Sequence, residues 1–327
     1  MRRLTALIVL TVAIAALVGA CTPEQRERFR RHYCTLHPTI PACRNVGTTS
    51  TTTTSRPSTV KPPPDANEDD GSFRVECDLS HRAQADPIVA PGGISAHKHD
   101  FFGNERTHAD STYATMRAAT TTCTADGDTA GYWAPTLVAP DRSPAPVETA
   151  IFYYRNRPTD YSRTMDFPRD LRIIAGAANL STAYVYWTCD GESDTGFEGR
   201  KRYVPDCRNT GDDHQIKMHI WFPSCWDGVN LDSPDHRSHM AYGIDDDGRV
   251  EPTDPDRCPP SHPIKVPQLN FRVQYDVADG RGYRFSDGEV LPHADFWNTW
   301  DQAELSAWVS ECLRGGESCG LAEGKAG

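Results

Sequence analysis

The sequence predicts a mainly β protein: an antiparallel, jelly-roll-like β-sandwich with long disulfide-stapled loops and one C-terminal helix. Short runs rich in β-branched and aromatic residues recur along the body of the chain, and the clearest of them alternates apolar with polar residues. Only one stretch carries a helical period. Cysteines, glycines and prolines punctuate everything between, as in a fold built of strands and stapled loops.

Residues 1–20 read as a signal peptide. Arg2 and Arg3 precede an apolar stretch ending in small residues, and Val18-Gly19-Ala20-Cys21 resembles a bacterial lipobox. Cleavage before Cys21 would leave a lipidated cysteine, anchoring the chain to the outer face of the cell membrane; an ordinary signal peptide is the alternative. Of the 11 cysteines, an even number then remains to pair. Residues 21–71 form a tether. Arg26, Arg28, Arg30 and Arg31 suit anionic headgroups, and Cys34 and Cys43 would close a small loop. The Thr- and Pro-rich run from Thr49 to Asp65 is too polar to bury a core. A single globular domain is expected over 72–320, with a disordered tail at 321–327.

Within the domain, Val147–Arg155, Thr182–Cys189 and Ile216–Phe222 are strand-like. In the third, Ile216, Met218, Ile220 and Phe222 share one face, which sends His219 and Trp221 to a wet side. Leu269–Val277 alternates with period two, a half-buried strand. From Asp301 to Cys312, Leu305, Trp308, Val309 and Cys312 share a helical face, and Thr299 with Gln302 offers a capping box. The body cysteines stand at 77, 123, 189, 207, 225, 258, 312 and 319. No CxxC pair occurs, against a zinc ribbon, and pairing of neighbours in order is the simplest pattern.

Net charge is −11, and −13 without the first twenty residues, which argues against a nucleic-acid binder. No long apolar run follows residue 20, so a polytopic membrane protein is excluded as well.

Chemistry-bearing residues concentrate in three stretches. In the first, DPIVAPGGISAHKHDFFGN, an extended His97-Lys98-His99 puts both imidazoles on one side. They can start a metal site or act as acid and base, or simply hydrogen-bond nearby loops. The second, Phe222 to Tyr242, holds Trp226, Asp227, Asn230, Asp232, Asp235, His236 and His239. Asx turns would explain its Asp and Asn residues but not two imidazoles. The third, PHADFWNTWD, joins His293 and Asp295 to Trp297 and Trp300, the composition of a sugar-binding cleft or of a helix anchored in the core. His262, in CPPSHP, reads as a turn residue.

These three stretches, with YWAPTL, FPRDLRIIAG and CPPSHPIKVPQL, occur in an order that resembles the family catalogued as domain of unknown function nineteen ninety-six, found in secreted fungal and actinobacterial proteins. The resemblance spans about Val75 to Cys312 and carries over His97, His99, Trp226, Asp227, Asn230, Asp232, Asp235, His236, His239, His293 and Asp295. Fungal members tend to read GHxH and HGDF where this chain has Ser95 to His99 and His293 to Phe296; the imidazoles and the carboxylate are kept. The resemblance implies no reaction, and family members that carry WSC modules hint at glycans.

Two functions are therefore expected. One is a surface enzyme, hydrolase or lyase, acting on a cell-wall or environmental polysaccharide. His97 or His99 would serve as base, Asp235 or Asp295 as partner or acid, and His236, His239 and His293 would complete the catalytic set. Trp226 and Trp297 would stack on sugar rings, with Asp227, Asn230 and Asp232 binding the substrate. The other is a non-catalytic binder of glycan, or of a divalent metal held by His97, His99, His236 and a carboxylate.

Overall fold

The strand-like runs of the sequence become strands over most of their length, Val147–Arg155 as one strand and residues 269–275 within another. The computed structural model describes residues 71–158, 164–176, 184–190, 199–210, 214–251 and 254–322. The signal peptide, Cys21, Cys34, Cys43 and the tether lie outside the described residues. In chain order the strands are β1 (Ser72–Cys77), β2 (Leu79–Ala83), β3 (His99–Gly103), β4 (Gly131–Pro135), β5 (Leu137–Val138), β6 (Val147–Arg155), β7 (Arg172–Gly176) and β8 (Val185–Cys189). There follow β9 (Ile216–Trp221), β10 (Cys225–Trp226), β11 (Met240–Ala241), β12 (Ile264–Lys265), β13 (Gln268–Tyr275), β14 (Arg284–Phe285), β15 (His293–Trp297) and β16 (Ser318–Leu321). Helix α1 spans Tyr113–Arg117, and α2 (Gln302–Trp308) runs into a π-helical turn (Val309–Leu313).

Two sheets carry the fold: six strands in the order β16-β1-β6-β13-β9-β8, and five in the order β2-β3-β4-β15-β7. Neighbours in both are antiparallel except β1 and β16, a parallel pair at one edge. Phe73, Phe152 and Phe271 of the first sheet pack against Phe102, Tyr132 and Phe296 of the second in one core. Tyr132 stacks on Phe152 with ring centres 3.7 Å apart, and Phe102 meets Phe271 edge-on at 5.6 Å. This is a β-sandwich. The far face of the five-stranded sheet is buried too. There Phe101, Trp133, Ile174 and Trp297 form a smaller cluster with Ala85, Ile88 and Met116. The loop after β2 and helix α1 therefore cover that face, and the functional residues lie on it.

Among the described residues, four disulfides join sequence neighbours: Cys77–Cys123, Cys189–Cys207, Cys225–Cys258 and Cys312–Cys319. Three expectations need correction. Thr299 does not cap α2: it is fully buried and donates to the Thr129 carbonyl, while the Asp301 side chain accepts from the amides of Ala303 and Glu304. His219 does not face water. It is stacked on Tyr186 with centres 4.7 Å apart and bonded to Thr188 Oγ1 at 3.0 Å, because every residue of β9 is buried. The packed chain also runs past residue 320, since Leu321 lies in β16 and buried Ala322 donates to the Arg74 carbonyl.

Candidate metal centre

Side chains alternate along a strand, and two strands of the five-stranded sheet use that alternation to aim imidazoles at one another. On β15, Ala294 and Phe296 enter the main core, which sends His293, Asp295 and Trp297 to the far face. On β3, Phe102 enters the main core and His99 shares the far face with Phe101. Strand β4 lies between them, pairing Pro135 with His99 and Trp133 with Asp295. Two strand spacings, about 9–10 Å, separate β3 from β15.

The imidazoles meet across this gap. His99 Nε2 and His293 Nε2 lie 3.3 Å apart, and Asp295 Oδ2 is 3.5 Å from His293 Nε2. His97, two residues before His99 on the same side, sets its ring centre 4.5 Å from that of His99 and 5.1 Å from that of His293. Asp86 joins from the loop that covers the sheet. One ligand atom each from Asp86, His99, His293 and Asp295 lies within 4.8 Å of all the others, and His97, His99 and His293 form an equally tight set.

Protonation follows from these contacts. His99 Nδ1 is 2.8 Å from the Ala85 carbonyl, which can only accept; Nδ1 therefore carries the proton, and Nε2 presents its lone pair to the cluster. Burial lowers the His99 pKa to about 2, with His293 and His97 adding to the effect. His293 is lowered to about 3, again by burial and then by His97 and Arg237. Both rings are neutral at pH 7. Asp295 has no exposed surface, and neither of its oxygens accepts a hydrogen bond. Burial, then the Asp86 charge, pushes its pKa well above the ordinary carboxylate range, with Arg237 opposing. His97 Nε2 is likewise buried without a partner. A divalent cation would turn these orphaned groups into ligands: neutral imidazole nitrogens and a carboxylate that needs a positive charge.

The family model for a domain of unknown function (DUF1996) matches residues 86–300. The chain belongs to this family. The matched stretch opens on Asp86 itself and contains every residue of the cluster. No curated protein and no solved structure matches the chain.

Other residues anticipated within the family domain lie elsewhere. Asp235, expected as acid or partner, accepts at Oδ1 from Ser233 Oγ and from the amides of Arg237 and Ser238, so it clamps its own loop. His239 is buried between Ser233 Oγ and the Arg172 carbonyl, to which Nε2 donates at 2.6 Å. It holds the loop to β7 and is no member of the cluster. His236, expected as a metal ligand, is outside the cluster: Nδ1 donates to both Asp232 oxygens at 2.9 and 3.0 Å. Asp227 and Asn230 form an Asx turn, with Asp227 Oδ1 accepting from the amides of Val229 and Asn230. Trp226 is half-buried and donates to the Asn230 carbonyl. Trp297 offers no face to a sugar. It is buried, donates to Asp170 Oδ1 at 2.7 Å and lies under the Arg172 guanidinium. His262 sits in a turn, bonded to the Ser238 carbonyl.

Asp86 was missed because it also behaves as a turn residue, accepting from the amides of Ile88 and Val89 at Oδ1. Its place at the head of the His97-Lys98-His99 stretch was the available signal.

Proposed function

We propose that the domain is a divalent-metal module in which Asp86, His99, His293 and Asp295, with His97 beside them, hold one ion on the far face of the five-stranded sheet. The observation that carries this reading is Asp295: a fully buried carboxyl with two unbonded oxygens, set beside two neutral imidazoles whose Nε2 atoms meet at 3.3 Å. A nitrogen-rich set with carboxylates suits Zn²⁺ and its first-row neighbours better than Mg²⁺ or Ca²⁺. His97 and His293 are only partly covered, which gives the ion an open side where it can bind and polarise an oxygen of an incoming ligand. Carried outside the cell by a lipid on Cys21, the centre would bind or act on a cell-wall or environmental polysaccharide. With Trp297 buried, recognition there falls to the ion and to polar side chains rather than to stacking.

The test uses the full chain, stripped with a chelator and dialysed against micromolar Zn²⁺. Elemental analysis should find about one ion per chain, and His99→Ala or His293→Ala should weaken uptake by more than about 100-fold, beyond the effect of losing an outer-shell partner. A wild-type chain that takes up none of Zn²⁺, Cu²⁺, Co²⁺ or Mn²⁺ overturns the reading. Incubation of the loaded chain with actinobacterial wall polysaccharides and β-glucans tests the ligand class, through either binding or a changed product profile.

A further inference from the structure

The loop of residues 233–239 does more than close the sandwich. Its turn is pinned by Asp235, which accepts from the Arg237 amide at 3.1 Å and the Ser238 amide at 2.8 Å. His236 adopts the left-handed conformation, φ 57°, and the Arg237 carbonyl accepts from the Met240 amide. The Arg237 side chain is laid back onto β7, where Nη1 donates to the Ile174 carbonyl at 3.3 Å. Ile174 is the register partner of Asp295. The carbonyl that holds the guanidinium thus belongs to a residue one strand spacing, about 5 Å, from the backbone of Asp295.

Arg237 is not the counter-ion of that cluster. Its charge acts on His293 and Asp295, yet it donates to neither, and among the described residues it forms no ion pair. Two other acids named in the site are otherwise engaged: Asp235 with its own loop, Asp86 with the amides of Ile88 and Val89. Most of the donors of an exposed guanidinium held on β7, beside the strand that carries His293 and Asp295, therefore remain available, in the fork geometry that matches a carboxylate or phosphate. The ordering of this long side chain is already provided by the loop, so little rotamer freedom is left to lose on binding.

Given the metal reading above, we infer that the centre takes a ligand bearing an oxyanion, a carboxylate or a phosphate, held between the divalent ion and the guanidinium of Arg237. The net charge of −11 repels extended polyanions, so a local anionic group on a small or otherwise neutral ligand fits best.

The zinc-loaded full chain is titrated calorimetrically with inorganic phosphate and, separately, with glucuronate, alongside Arg237→Gln and Arg237→Lys. The wild type should bind at least one of the two anions. Arg237→Gln should keep its zinc and its melting temperature while losing about tenfold or more in anion affinity, the effect of removing a charge-assisted pair. Arg237→Lys, with its charge but no fork, should fall between. Preference for phosphate or glucuronate sorts a phosphoryl ligand from a uronate one. Stoichiometric zinc with no anion binding, or with equal affinity in Arg237→Gln, overturns this inference alone. Absence of zinc from the wild type overturns the metal reading and this one together.

Discussion

Asp128 and Asp295 are both carboxyls without exposed surface, and their partners set them apart. Asp128 accepts from the Tyr132 hydroxyl at 2.8 Å and the Ala130 amide at 3.0 Å. Tyr132 in turn contacts the Tyr154 hydroxyl, which accepts from Trp300 Nε1 at 2.8 Å. Despite these bonds, burial pushes the Asp128 pKa up from 3.8 to about 8. The folded state therefore holds that proton more tightly than the unfolded chain does. The stability this confers is complete below about pH 4, is lost as pH rises toward 8, and is level above. Asp128→Asn keeps a neutral, hydrogen-bonding group and removes the titration. In thermal melts from pH 4 to pH 9, the variant should gain on the wild type between pH 4 and 8 and hold a constant margin beyond. A margin independent of pH would show that Asp128 stays ionised in the fold. Asp295, by contrast, lacks any hydrogen bond, which is why a cation rather than a network is its natural partner.

Among the elements, strand was more legible than helix. The run Val147–Arg155 becomes β6 residue for residue, and β9 ends one residue before the expected Phe222. The expected wet face of Leu269–Val277 survives only in part. Arg272 and Gln274 are half-buried, while Gln268 and Asn270 are covered because β13 sits inside the sheet between β6 and β9. Two cap spacings competed at the last helix, Thr299 with Gln302 and Asp301 with Glu304. Local pattern could not separate them, and burial of Thr299 against Thr129 did. Asp301 also pairs with Arg117 at the end of α1, at 3.0 Å. Removing the cap with Asp301→Ala should cost about 1 kcal/mol, read as an earlier midpoint in urea at unchanged slope. An unchanged midpoint would mean that packing of Leu305, Val309 and Cys312 holds the helix unaided.

For the molecule as a whole, metal binding and folding are linked. An ion bound only by the native state stabilises it by about 2.7 kcal/mol at one hundred times its dissociation constant. The melting temperature should therefore climb with zinc concentration and return to its starting value on chelation. Asp295→Asn should abolish the climb while leaving the metal-free protein at least as stable, since it removes an unpaired buried carboxyl. A metal-free variant that melts well below the wild type would assign Asp295 a structural role instead.

By itself, the sequence determined the strand-rich body and the concentration of imidazoles and acids in three stretches, while the pairing of its cysteines came from the structure. Those properties are written in local periodicity and composition. Which of these groups meet was decided only by tertiary structure. The register of β3, β4 and β15 brings His99, His293 and Asp295 to one face, and the loop after β2 adds Asp86 above them. Asp235, His239 and Trp297 have equally suggestive neighbours in sequence, yet each is spent on holding a loop or filling a core. Pairing between strands far apart in the chain sets direction and burial, and no local pattern encodes it.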